Sequence, residues 1–263
     1  MASEQPPEPD YALHYVAFND LSEANYARAA VWYRWLLADV LRGLPPSARI
    51  LDVGCGPGLL VESLLKSGFT AVTGIDTSES LVSEAKKRGL PVHHVSADYI
   101  DNSPSNDDTA YDVIFLLDVL EHVSIPRQLS FLRGIRRRLR DQGRLVVSVP
   151  NANSSLASRW RYIDWTHTTA FTESSLRFVL GGAGFTAVRL LPHEFHMRPR
   201  LPFLVRSGVL HWWLHLLMRG FRRLEMVGEL GSQGWTIPLS LNLLAVASVA
   251  PDLSSAGRRS VVT

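Results

Sequence analysis

Asp52, Gly54, Gly56 and Gly58 sit in the run Ile50-Leu51-Asp52-Val53-Gly54-Cys55-Gly56-Pro57-Gly58, where an apolar segment ends in an acid and three alternating glycines. Glycine lets the backbone turn tightly and approach a ligand that any side chain would hold off. The dinucleotide fingerprint spaces its glycines as GxGxxG. Here they fall as GxGxG, with an acid two residues ahead. That acid would repel a pyrophosphate but accept a ligand's ammonium group, while the ligand's carboxylate could face the N-terminus of the following helix. The chemistry implied is the binding of a nucleoside that carries an amino acid, and S-adenosylmethionine carries both groups.

Further acids and histidines recur where apolar segments end. Asp76 closes Ala71-Val72-Thr73-Gly74-Ile75-Asp76, and Ala97-Asp98 follow Val92 to Ser96. Tyr111 to Leu117 leads into Asp118-Val119-Leu120-Glu121-His122-Val123. Later, Trp160-Arg161-Tyr162-Ile163-Asp164-Trp165-Thr166-His167 is dense in aromatic and ionisable groups. A histidine titrates near neutral pH and can remove a proton from a hydroxyl. Three positions compete for that role: His167 first, then His122, then His193 or His196, which flank Glu194. Each has the alternative of a hydrogen-bonded structural histidine. Asp118, Glu121 and His122 offer oxygen and nitrogen donors for a divalent ion, and the metal site stays open. Cys55 is the only cysteine, so no disulfide or CxxC pair exists; it reads as a small filler in the loop.

These motifs resemble the class I S-adenosylmethionine-dependent methyltransferases over residues 45–190. The resemblance implies a set of roles for Asp52, Gly54, Gly56, Gly58, Asp76, Ala97, Asp98 and Leu117 around the cofactor. Asp76 would bind the two ribose hydroxyls and Asp98 would meet the adenine amino edge. The string from Asp118 to Val123 is similar to the ubiquinone-type O-methyltransferases, which carry ExxEH here, some of them with a divalent ion; Asp118 replaces the first Glu. The DxxH of Asp164 to His167, followed by Phe171-Thr172, is similar to methyltransferases of cell-envelope polysaccharide and natural-product pathways. It implies His167, His122 and Asp164 as the catalytic group.

The elements that must position these residues read as alternating strands and helices. Strands are expected at 48–53, 71–76, 92–96, 111–117, 143–149, 184–191 and 241–249, with helices at 22–42, 59–66, 133–140 and 175–180. Thr172 reads as a helix cap, and Arg136-Arg137-Arg138 as a solvated face. The fold expected is α/β: a Rossmann-like seven-stranded methyltransferase sheet, mostly parallel with an antiparallel last strand and helices on both faces. The aromatic helix at 22–42 either lies across the cofactor mouth or packs on the sheet.

Between the sixth and seventh strands lies a helical insertion, 195–236. The expected organisation is a flexible N-terminal segment 1–20, a methyltransferase core 21–194 with 237–250, this insertion, and a tail 251–263. Within the insertion, Ser207 to Arg223 has helical periodicity, with His211, His215, Arg219 and Arg222 on one stripe. It is too interrupted by charge to span a bilayer. A lid, a homodimer contact and a peripheral membrane contact through 203–225 stay open.

At 263 residues and 46% hydrophobic, the chain suits one core with appendages. A net charge of +2 gives no field for nucleic acid, so none is expected as partner. The polar, proline-rich start excludes a secretory signal, and the expected place is the cytoplasm or the inner membrane face. The acceptor expected is a small or carrier-linked molecule, with a sugar or glycolipid favoured over a phenolic or polyketide product. A cofactor-binding scaffold without turnover is the non-enzyme alternative.

Overall fold

The computed structural model describes residues 20–102, 110–191 and 206–248, together with Ala12, Tyr15 and Val16; the side chains of 206–212 and His215 lie outside the description. His193 and His196 therefore lie outside the described residues, as do 103–109 and the tail 251–263.

Seven strands form one mixed sheet: β1 (Arg49–Val53), β2 (Ala71–Asp76), β3 (Val92–His94), β4 (Tyr111–Leu117), β5 (Leu139–Pro150), β6 (Ala187–Leu191) and β7 (Asn242–Ser248). Their order is β3-β2-β1-β4-β5-β7-β6. β1 pairs in parallel with both β2 and β4, β2 pairs in parallel with β3, and β6 pairs antiparallel with β7. This is the α/β sheet expected, with helices around it and the seventh strand reversed beside the sixth. The chain divides into two compact units, Met1–Leu116 with Gly134–Leu145, and Leu117–Arg133 with Val146–Thr263.

In the first unit, β1 and β4 are buried as near-continuous apolar runs, which is how parallel strands covered on both faces read in sequence. The helix Leu59–Lys66 turns Leu60, Val61 and Leu64 into this core. The expected N-terminal helix is two pieces, Glu23–Leu36 and Ala38–Leu41. Ser22 caps the first by accepting from Asn25 N. The arginine cluster departs from expectation. The helix runs Ile125–Arg137, not 133–140, and the strand after it starts at Leu139. Arg138 is buried rather than solvated, because its guanidinium donates to three carbonyls: Ile100 O at 2.8 Å, Gly134 O at 3.0 Å and Tyr99 O at 3.0 Å. β3 also stops two residues early, at His94, where the backbone turns into Ala97-Asp98.

In the second unit, β6 begins at Ala187, after Leu180 and Phe185 have closed the preceding helix end. That helix, Glu173–Gly182, carries the expected Thr172 cap, and Ser175 completes a capping box. Among its described residues the insertion holds one long helix, Arg206–Leu230, which continues seven residues beyond the expected Arg223 and then tightens into a 3-10 turn, Gly231–Trp235. Among the described residues no helix is long and apolar enough to cross a membrane.

Candidate active site

The first unit builds a nest at the end of β1. Gly54, Gly56 and Gly58 all take positive φ, 75°, 52° and 83°, which an L side chain rarely adopts. At Gly58 a Cβ would also stand 2.5 Å from Leu90 Cδ1 and 3.3 Å from Ala85 Cβ, so Leu90 would have to shift. Gly54 N and Cys55 N both donate to Ile75 O, at 2.8 and 3.1 Å, fastening the loop to the end of β2. Cys55 packs where β2 has Gly74; a Cβ there would meet its Sγ at 2.8 Å. This bears out the filler reading.

Asp52 and Asp76 stand on adjacent strand ends within this nest. Asp52 is buried, and that burial, with the Asp76 charge behind it, pushes its pKa up to about 8. Asp76 accepts from Gly56 N at 2.7 Å and Ser78 N at 2.8 Å. Burial raises its pKa, against the lowering pull of the Ser78, Gly56 and Thr77 amides. A buried and a half-buried carboxylate on one loop are costly to ionise together without a cation nearby. The aromatic helix is tied to this loop, because Tyr26 Oη donates to Pro57 O at 2.9 Å. Arg88 stacks over the Tyr26 ring at 3.6 Å and is itself held by Glu23 and by Glu62. The ring of Tyr15 also borders Gly56. Ala97 and Asp98 lie in an exposed turn after β3.

The second unit assembles a different cluster. Asp118, straight after β4, has φ 55° and is locked by Ser148 Oγ at 2.6 Å and Asn242 Nδ2 at 2.8 Å, both donating to its Oδ1. A short 3-10 turn, Leu120–His122, then buries Glu121 to 1% exposure. The loop at 164–168 is pinned against it, since Thr168 donates to Glu121 O through its N at 2.7 Å and its Oγ1 at 2.8 Å. The rings of His122 and His167 consequently meet edge to face, 4.7 Å between centroids.

Each histidine is oriented through its Nδ1. His167 Nδ1 lies 2.8 Å from Trp160 O, and a carbonyl only accepts, so this nitrogen carries a hydrogen, and in the neutral ring Nε2 then holds the lone pair. Thr166 Oγ1 donates to Asp164 Oδ1 at 2.6 Å, so the hydroxyl accepts from His122 Nδ1 at 2.7 Å and fixes the same tautomer there. Asp164, buried, also accepts from Thr166 N at 2.8 Å. The catalytic candidates His122, His167 and Asp164 are thus adjacent. Thr166 was missed, although it sits inside the DxxH; nothing in its type distinguishes a relay hydroxyl from a loop filler.

Glu121 gives the site its tension. Burial, reinforced by the Asp118 and Asp164 charges, raises its pKa well above the usual carboxylate range, and neither oxygen has a partner among the described residues. Ligand atoms of Glu121, His122 and His167 all lie within 4.8 Å of one another. This donor set fits a divalent ion: two imidazoles anchored through their second nitrogen and a carboxylate lacking a counter-charge. His167 thereby takes the place that the sequence had suggested for Asp118, whose Oδ1 is already occupied.

A family model described as a methyltransferase domain matches residues 25–190, covering both the glycine nest and the histidine cluster. The chain belongs to the methyltransferase family. It is of the class I, S-adenosylmethionine-dependent kind that its glycine loop and strand-end acids resemble. The mitochondrial ubiquinone biosynthesis O-methyltransferase of Schizosaccharomyces pombe is 32% identical over 157 residues, 51% of this chain and 56% of that protein. The ubiquinone biosynthesis O-methyltransferase of Xanthomonas oryzae pv. oryzae is 36% identical over 108 residues, 40% of this chain and 44% of that protein. The chain spans about half the length of the curated relatives it matches. A SAM-dependent methyltransferase from Archaeoglobus fulgidus has the same fold, with a TM-score of 0.61 at 21% identity, over 91% of this chain and 99% of its own.

Proposed function

We propose that this methyltransferase methylates an oxygen of a small or carrier-linked acceptor, with a sugar or glycolipid hydroxyl as the favoured class. In this reading Asp52 holds the cofactor's ammonium group, Asp76 its ribose hydroxyls and Asp98 its adenine edge, with Ala97 and Leu117 beside the base and the glycine loop beneath the amino-acid moiety. The cofactor supplies a methyl group already activated as a sulfonium. The protein's own task is then to align the acceptor and to take its proton.

The observation that carries the reading is the oriented histidine pair. His167, held by Trp160 O, and His122, held through Thr166 by Asp164, both present Nε2 as the proton-accepting atom. His167 acts as the general base and His122 lines the acceptor beside it. Oxygen as the acceptor atom is supported by the O-methyltransferase relatives. A phenolic or polyketide product is the second reading of the acceptor. Replacing His167 by Ala should lower turnover by about a hundredfold while leaving cofactor affinity unchanged. Unchanged turnover would remove the base assignment.

The unpartnered Glu121 carboxylate favours a divalent ion held by Glu121, His122 and His167 as an alternative use of the same cluster. Such an ion would polarise an acceptor hydroxyl as a Lewis acid. Loss of turnover on chelation, recovered on adding zinc, would favour it over the metal-free base.

The division into a core, 21–194 with 237–250, and an insertion, 195–236, is part of the proposal. The insertion would serve the acceptor rather than the cofactor. A homodimer contact or a peripheral contact at the inner membrane face would use its exposed surface instead.

A further inference from the structure

An open cavity of about 570 Å³ lies between the segment after β5 and the long helix Arg206–Leu230. Its loop wall is small and hydroxyl-bearing, with Ser154, Ser155 and Ser158. On its helix wall, Arg222 and Glu225 form an ion pair, Nη1 donating to Oε2 at 2.6 Å, and Phe221 and Met218 supply an apolar face. One short helix borders both the cavity and the histidine cluster. Ala157 and Ser158, in the cavity wall, open the short helix Ala157–Tyr162, whose Trp160 carbonyl orients His167.

The chemistry of this lining selects a ligand. Arg222 and Glu225 cancel in charge, and the Glu225 carboxylate would oppose a phosphate. Hydroxyls both donate and accept, as do a guanidinium and carboxylate taken together, so the wall matches a neutral polyol. Phe221 is 60% exposed and offers its ring to the C–H face of a pyranose.

The same helix turns an apolar stripe outward. Trp213, Leu217, Phe221 and Leu224 recur at helical spacing and are 60%, 55%, 60% and 61% exposed. Arg219, Arg222 and Arg223 are half-buried alongside Met226 and Val227, and Arg223 donates to Ile237 O at 2.8 Å and to Gly234 O. An uncharged stripe of this length facing outward marks a contact surface. Phe221 belongs to both the stripe and the cavity, so one ligand that fills both has a neutral polar ring joined to a hydrocarbon.

We propose that this cavity is the subsite for the sugar ring of an amphiphilic glycoside acceptor, whose hydrocarbon lies along the Trp213–Leu224 stripe. The proposal rests on the methyltransferase reading for the identity of the ligand as acceptor, and on the cavity for its class. It is tested by calorimetry on the full chain with n-octyl and methyl glycosides of glucose, mannose and rhamnose, with inorganic phosphate as a control and S-adenosylmethionine titrated into the same samples. At least one octyl glycoside should bind at least tenfold more tightly than its methyl counterpart, since buried methylenes add affinity. Ser158→Trp, which fills the cavity, should weaken both at least tenfold. Phe221→Ala, at an exposed site that folding tolerates, should do the same to the octyl glycoside.

Binding of none of the glycosides would overturn the proposal. So would competition by phosphate, or octyl binding untouched by either substitution, which would mark the stripe as a general lipid or self-association surface. Cofactor binding without glycoside binding overturns the subsite alone; glycoside binding without cofactor binding overturns the methyltransferase reading instead.

Discussion

His122 and His167 meet edge to face with 4.7 Å between ring centroids, and each turns its Nδ1 onto an oxygen supplied by the segment 160–166. One loop therefore sets the tautomer of both rings. A histidine whose outer nitrogen is fixed in this way loses little freedom when its inner nitrogen takes a proton or a ligand.

Thr166→Val should uncouple His122 from Asp164 while keeping the shape of the side chain. Turnover should fall by about ten- to a hundredfold with cofactor affinity unchanged, and Thr166→Ser should restore most of it. Steady-state kinetics beside cofactor calorimetry checks this; a valine variant with full activity would show that the relay is idle.

Asp52 makes cofactor binding depend on pH. Its pKa of about 8 in the folded chain means that it is protonated below that value, and pairing with an ammonium group requires it to lose the proton. Affinity for S-adenosylmethionine should thus fall by up to about tenfold per pH unit as the pH drops below about 8. The stability of the unliganded protein should run the other way. A folded-state pKa raised above the unfolded value adds stability that is full below about pH 4 and is lost as pH rises towards about 8. Asp52→Asn should flatten both profiles, as read by calorimetry and by thermal melts across that window.

Much of this was legible from residue order. The helix Leu59–Lys66 and the strand Ala71–Asp76 match expectation residue for residue, because apolar period and flanking glycines agree there. The nest is equally legible: an acid before GxGxG, with Asp76 on the next strand, is a local pattern. The rest depended on tertiary contacts. Arg138 looked like one of three solvated arginines, and only the carbonyls of Tyr99, Ile100 and Gly134 reveal why it is buried. His167 joins Glu121 because Thr168 bonds to Glu121 O, and the Trp160 oxygen that orients it belongs to the backbone, where side-chain identity carries no signal. The outward stripe of Arg206–Leu230 was invisible for a similar reason: periodicity finds the apolar face, but not which way it points.

Glu121 is the group most exposed to a metal test. Zinc should raise the melting temperature of the wild type, because an ion that binds only the folded chain adds stability by mass action. Glu121→Gln should melt higher than wild type at neutral pH without metal, because folding no longer has to force a proton onto a buried carboxyl, and should gain little from zinc. Differential scanning fluorimetry with and without chelator reads both. An equal zinc shift in the two proteins would place the ion elsewhere.

The account as a whole turns on the nest between Asp52 and Asp76, and titration of S-adenosylmethionine into the wild type and Asp76→Ala tests it most directly. The wild type should bind one equivalent, and the variant should bind more weakly by about 1 to 3 kcal/mol through lost ribose hydrogen bonds. No heat with S-adenosylmethionine, or binding of a pyrophosphate dinucleotide in its place, would contradict the assignment.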